Sequence, residues 1–157
     1  MDVIDDLALE RQVCFALYSA SRATTAAYRP MLDNLGLTYP QYLVMLVLWE
    51  HDGRGVREIC RALDLDTGTL SPLLKRLEKL ELIERTRQSD DERRVEIRLT
   101  SAGTSLREKA APLPSTLACA TGLSPDEHVA LRELLTRLTR SLRDTPRPTP
   151  THGEENA

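Results

Sequence analysis

The chain has 157 residues, a formal net charge of −3 and 4% aromatic residues. That length fits one domain around a single core, and the scarcity of aromatics leaves Leu, Val, Ile and Ala to build most of it. The negative charge excludes a protein that coats nucleic acid or anionic membrane through bulk charge, while leaving room for a locally basic surface.

Leu9, Val13, Leu17 and Ala20 recur at three- to four-residue spacing, which predicts a helix from about Leu7 to Tyr28 with Cys14, Tyr18 and Ser21 on an adjacent stripe. Pro30 lacks the helical N–H, so the helix is expected to end before it, followed by a short helix over 29–34 closed by Gly36. Thr38-Tyr39-Pro40-Gln41 reads as a capping box with proline in the first turn. It opens a helix through Met45 and Leu48 to Trp49, which His51-Asp52-Gly53 ends. Val56, Ile59, Cys60 and Leu63 mark the buried face of a short helix. Asp64-Leu65-Asp66 then turns the chain, and Asp66 or Thr67 caps the next helix. That helix turns Leu70, Leu73, Leu74 and Leu77 inward, and Pro72 is expected in or near its first turn.

Leu82–Arg87 and Arg94–Leu99 alternate apolar and charged residues around a polar turn, the pattern of a β-hairpin with one face on the core. Thr100 caps a helix to about Ala110, which Pro112 and Pro114 interrupt before a segment holding Cys119. Ser124-Pro125-Asp126-Glu127 is a strong helix start, and the helix that follows carries Val129, Leu131, Leu134, Leu135, Leu138 and Leu142. From Asp144 the chain is polar and rich in Pro and Thr, so 144–157 is expected to be a disordered tail.

Cys14, Cys60 and Cys119 lie far apart, no CxxC pair exists, and His51, His128 and His152 are scattered. Neither a zinc site nor a disulfide scaffold is expected, and no metal or cofactor. The start, Met-Asp-Val-Ile-Asp-Asp, is acidic, unlike a signal peptide. The longest apolar run, Leu43–Trp49, is too short to cross a bilayer. A soluble, cytoplasmic protein without a membrane partner is expected. Cys60, on the apolar face of its helix, reads as core. Cys14 is ambiguous: a buried thiol in an apolar setting is usually inert, whereas phenols aimed at its sulfur would stabilise a thiolate.

Short helices followed by a two-stranded hairpin have the order of a winged helix-turn-helix, with the recognition helix starting at Thr67. Small polar groups near its N-terminus (Thr67, Thr69 and Ser71, with Pro72) and cations further along (Lys75, Arg76) suit a major groove. Arg87 lies on the hairpin, and Arg93 or Arg94 at its tip would suit a narrow minor groove, with Asp91 orienting Arg93. Between Gly68 and Arg98 eight cations face seven carboxylates, so any basic surface must come from arrangement. A merely solvated charged helix and hairpin is the alternative. The first and last helices carry more apolar surface than one small winged domain needs, which points to a two-fold homodimer on an inverted-repeat DNA operator.

Three stretches resemble the MarR family of winged-helix regulators, and specifically its organic-hydroperoxide sensor (OhrR-type) branch. They are Gln12-Val13-Cys14-Phe15-Ala16-Leu17-Tyr18; Thr38-Tyr39-Pro40-Gln41-Tyr42-Leu43 through Leu48-Trp49-Glu50; and Leu65-Asp66-Thr67-Gly68-Thr69-Leu70-Ser71-Pro72-Leu73-Leu74-Lys75-Arg76 with Asp91-Glu92-Arg93. The last is widespread in the family; the first two are more specific. The resemblance implies a mainly α fold with a small β wing. It implies one domain over 1–143, with dimerisation helices at about 7–35 and 101–143 and the winged helix-turn-helix at about 38–99.

It further implies a homodimeric repressor, not an enzyme, that an organic hydroperoxide releases from DNA. By that resemblance Cys14 is the sensing thiolate, Tyr28 and Tyr39 hydrogen-bond its sulfur, and Arg93 is the wing arginine. Cys119 falls where two-cysteine members carry the resolving thiol of the opposite subunit. Many relatives have Gly where this chain has Glu81, at the left-handed end of the recognition helix, a substitution that costs about 1 kcal/mol. Two alternatives stand beside this reading. One is a regulator released by a phenolic or drug-like ligand with Cys14 redox-silent; the other is a thiol peroxidase, for which no motif is present.

Overall fold

The computed structural model describes residues 7–88 and 91–145; of Gln88 and residues 91–94 it describes the backbone alone. The expected tail therefore lies outside the described residues beyond 145. Seven α-helices and three strands follow in the order α1 (Val13–Asp33), α2 (Tyr39–Glu50), β1 (Arg54–Gly55), α3 (Val56–Leu63), α4 (Thr67–Lys79), β2 (Ile83–Gln88), β3 (Asp91–Leu99), α5 (Ser101–Ala110), α6 (Leu113–Ala120) and α7 (Pro125–Asp144) among the described residues. The order is that of a mainly helical winged helix-turn-helix. The chain divides into two compact units at residue 117.

The expected break at Pro30 does not occur. α1 runs unbroken through it to Asp33. A proline inside a helix removes one hydrogen bond and crowds the preceding turn. Burial on the far side offsets this, since Leu32 is 2% exposed and anchors the last turn in the core. The start also differs: Leu9–Arg11 is a 3₁₀ turn and the α-helix begins only at Val13.

The other starts follow their caps. Thr38 and Gln41 form the capping box of α2, the Thr38 N–H donating to Gln41 Oε1 at 2.8 Å. That bond accounts for Gln41, a buried polar side chain in the core. α2 is buried nearly all round, through Tyr42, Val44, Met45, Leu48 and Trp49. Leu70, Leu74 and Leu77 of α4 and Ile59 of α3 close against it, all fully buried, at the i, i+4, i+7 spacing of a helix that faces a core. Pro72 lies deeper than expected, as the sixth residue of α4.

The sheet is antiparallel in the order β1-β3-β2. Ile83 pairs with Leu99 and Arg85 with Ile97, while the short β1 pairs Arg54 with the other edge of Ile97. A second junction ties the hairpin base to α2 and α5. The Trp49 indole N–H donates to the Gly103 carbonyl at 2.9 Å. The Thr100 hydroxyl donates to the Glu81 carbonyl at 2.6 Å, and the Thr100 N–H donates to the Leu82 carbonyl at 3.1 Å. Glu81 adopts the left-handed conformation, with φ 58°, in which glycine is favoured.

In the second unit α7 opens on a capping box of Ser124 and Glu127. None of its 20 residues is buried among the described residues, although Val129, Leu131, Leu134, Leu135 and Leu142 stand on it, each more than a third exposed. Among the described residues no helix is long and apolar enough to cross a membrane.

Candidate functional site

α4, the helix in the recognition position, is held at its start by Asp66. Its carboxylate accepts the Thr69 N–H at 2.7 Å and the Thr69 hydroxyl at 2.9 Å. These bonds, the backbone one first, hold the Asp66 carboxyl below its ordinary range. The Ser71 hydroxyl donates to the Thr67 carbonyl at 2.7 Å, which commits its proton and leaves its oxygen lone pairs available to a donor from outside. Thr67, Thr69, Ser71 and Pro72 are all exposed, and one turn on so are Lys75 and Arg76. The structure thus brings these sequence-predicted residues onto one surface.

On the hairpin, Arg87 is exposed. The side chains of Asp91, Arg93 and Arg94 lie outside the described residues. Two other hairpin cations are engaged internally: Arg85 with Glu78 at 2.9 Å and Arg98 with Glu96 at 3.0 Å. Pairing thus engages two of the eight cations of this stretch with two of its seven carboxylates, and Lys75, Arg76, Lys79 and Arg87 stand exposed on it. Sequence reasoning overlooked the segment just upstream, where Arg54, Arg57 and Arg61 meet one carboxylate, Glu58. A count started at Gly68 could not see it.

The thiol and Tyr28 stand at two ends of α1, and Tyr39 and Tyr42 at the start of α2. Cys14 is exposed in the first turn of α1, within an apolar stripe that includes Val13 at 65%, Phe15 at 39% and Tyr18 at 57% exposure. One turn further on, Arg22 Nη1 donates to the Tyr18 hydroxyl at 3.0 Å, with the guanidinium carbon 5.5 Å from the ring centre. Tyr28, in the penultimate turn, is buried against Tyr39 at a ring-centre distance of 5.1 Å and against Tyr42 at 5.7 Å. Tyr42 continues the cluster to Trp49 at 6.2 Å.

Burial, and then the neighbouring phenol of Tyr39, raises the Tyr28 pKa. Burial first, and then the phenols of Tyr28 and Tyr39, push Tyr42 up to about 12. Both are therefore neutral O–H groups at ordinary pH. Tyr42 as a third member of the cluster went unassigned in the sequence, where nothing separates it from an ordinary core aromatic.

Within one chain the thiol and the phenols are apart. Cys14 and Tyr28 are 14 residues apart on the continuous α1, which is about 21 Å along the axis at 1.5 Å per residue. Cys119 is an exposed thiol at the end of α6, and Cys60 is half-buried against the core as expected.

The family described as transcriptional regulator SarA/Rot matches residues 26–110, more than half of the chain. The chain belongs to the SarA/MarR-type winged-helix regulators. It is 47% identical over 134 residues to the organic hydroperoxide resistance transcriptional regulator of Bacillus subtilis (strain 168), covering 85% of this chain and 89% of that protein. Among solved structures, reduced AbfR bound to DNA is 37% identical with a TM-score of 0.71, covering 85% of this chain and 93% of that one. Disulfide-formed AbfR is 35% identical with a TM-score of 0.61, covering 86% and 90%; AbfR is a protein of Staphylococcus epidermidis. A winged-helix regulator of transcription of this type is what α3, α4 and the β2–β3 wing build.

Proposed function

We propose that the chain is a homodimeric repressor that holds an inverted-repeat operator while reduced and releases it when an organic hydroperoxide oxidises Cys14. The observation that carries this reading is the placement of Cys14: an exposed thiol among exposed apolar residues, on the same helix as the buried Tyr28 but about four turns away from it. Two copies of α1 running antiparallel across a two-fold axis set Cys14 of one subunit beside Tyr28 and Tyr39 of the other. The site is then shared, and the apolar stripe is covered by the same contact.

In that site the phenols donate hydrogen bonds to the thiolate and favour the anion. The thiolate attacks the peroxide O–O bond; sulfur takes the near oxygen as a sulfenic acid, and the alkoxide leaves as the alcohol after taking a proton. The sulfenic acid then condenses with the Cys119 thiol of the other subunit, forming a disulfide and releasing water. A disulfide requires Cα atoms within about 7 Å, so its closure fixes one mutual placement of the subunits and with it the spacing of the two recognition helices. Support comes from the Bacillus subtilis relative, which is an organic hydroperoxide resistance regulator, and from AbfR, which has been seen both reduced on DNA and disulfide-formed.

Subunit mixing tests the shared site. Cys14→Ser and the double variant Tyr28→Phe/Tyr39→Phe each oxidise slowly or not at all when alone. Mixed dimers restore rapid oxidation by cumene hydroperoxide, because one of their two sites regains both thiol and phenols. No recovery in mixed dimers would sink the shared site.

One cleft favours a second reading. Tyr42, Leu46, Trp49 and Arg107 line a largely apolar recess of about 370 Å³, and Arg107 at its edge suits a small phenolic or drug-like anion. On that reading Cys14 is redox-silent.

A further inference from the structure

Arg57 and Arg61 stand on one flank of α3, one turn apart and both exposed, beside the buried stripe of Val56, Ile59, Cys60 and Leu63. They line a cleft of about 720 Å³, whose other wall is the wing strand β3 at Val95 and Glu96. The carboxylates in this cleft are engaged: Glu58 Oε2 accepts the Gly55 N–H at 2.8 Å, and Glu96 pairs with Arg98 at 3.0 Å. Neither arginine has an ion pair or hydrogen bond among the described residues. With the half-buried Arg54, the segment Arg54–Leu63 carries three cations against one carboxylate, between Asp52 and Asp64. In a chain with net charge −3, affinity for DNA must come from such local surfaces.

We infer that Arg57 and Arg61 form a second DNA-contacting surface that binds the sugar–phosphate backbone and reads no base. This deepens the repressor reading and rests on it. A helix-turn-helix sends its second helix into the major groove while the first crosses the backbone. α3 occupies that first position, packed on α4 and against the wing strand. Phosphates passing α3 meet two guanidiniums able to make bidentate contacts. Such contacts set register and add affinity without sequence preference.

The test is the salt dependence of binding to two 30-base-pair duplexes, one selected from a random pool by the wild-type dimer and one scrambled. Each backbone contact contributes about 0.9 to the slope of log K against log salt, so Arg57→Gln or Arg61→Gln, each removing two contacts per dimer, flattens it by about 1.8. Both duplexes weaken alike, and Arg57→Lys/Arg61→Lys restores most of the slope. Arg85→Gln, whose guanidinium is engaged with Glu78, leaves the slope unchanged. A wild-type slope in the glutamine variants, or a loss confined to the selected duplex, would overturn the inference. Failure of the wild-type dimer to enrich any duplex from the pool would overturn the repressor reading as well.

Discussion

Tyr28 and Tyr42 matter as phenols that keep their protons. Their pKa values are raised, chiefly by burial, with Tyr42 at about 12. Since the unfolded phenol titrates near 10, the unfolded state loses protons first as pH rises. Stability is therefore whole below pH 10 and falls progressively from about 10 toward 12. In a titration followed at 295 nm, Tyr28 and Tyr42 should ionise only above the ordinary phenol range, the phase coinciding with loss of helical circular dichroism. Ionisation of Tyr28 and Tyr42 near 10 in folded protein would contradict this burial. At the other end of the scale, the depressed Asp66 carboxyl makes the cap of α4 a source of stability present above about pH 4 and lost as pH falls through the folded pKa.

The thiols are separable in the same way. Cys119→Ser should still form a sulfenic acid at Cys14 when treated with cumene hydroperoxide, but should give no covalent dimer on a non-reducing gel. A covalent dimer in that variant would remove Cys119 from the proposed chemistry. Cys14 shows where sequence reasoning stops: its apolar neighbours are equally compatible with inert packing. Only its exposure on α1, and its distance from Tyr28 on the same helix, turn the question toward a second subunit.

At the scale of elements, the starts of α2, α4, α5 and α7 were legible, because a cap is a local chemical fact. Thr38, Asp66, Thr100 and Ser124 each bond an amide that the helix leaves unpaired. The persistence of α1 through Pro30 was not legible, since the compensating burial of Leu32 is tertiary. Nor was β1, whose two residues hold no alternation and exist as a strand only by pairing with β3.

The junction of α2, α5 and the hairpin base was equally invisible, being made of contacts distant in sequence. A Cβ at Gly103 would overlap the Leu82 carbonyl, and the Gly103 carbonyl receives the Trp49 indole N–H. Gly103→Ala should therefore destabilise the fold by about 2 kcal/mol or more, within the 1–3 kcal/mol or above expected of overpacking, as read by chemical denaturation. It should also shift the fluorescence of Trp49, the one tryptophan of the chain. A stability within 0.5 kcal/mol of wild type, the scatter of ordinary surface changes, would show that the junction yields.

For the whole molecule, the described winged half has a closed core, whereas α7 carries a row of apolar residues, each more than a third exposed among the described residues. Isolated apolar residues at a surface are ordinary, but the proposed homodimer would give such rows on α1 and on α7 a partner to bury them. The repressor reading joins the levels: a thiol and phenols from different subunits, a disulfide that fixes the dimer, and recognition helices whose spacing follows. The most direct measurement is binding of the wild-type-selected duplex with and without cumene hydroperoxide, in wild type and in Cys14→Ser. Release from wild type, reversed by dithiothreitol, together with full retention by Cys14→Ser, is the predicted result. Equal release from both proteins would contradict it.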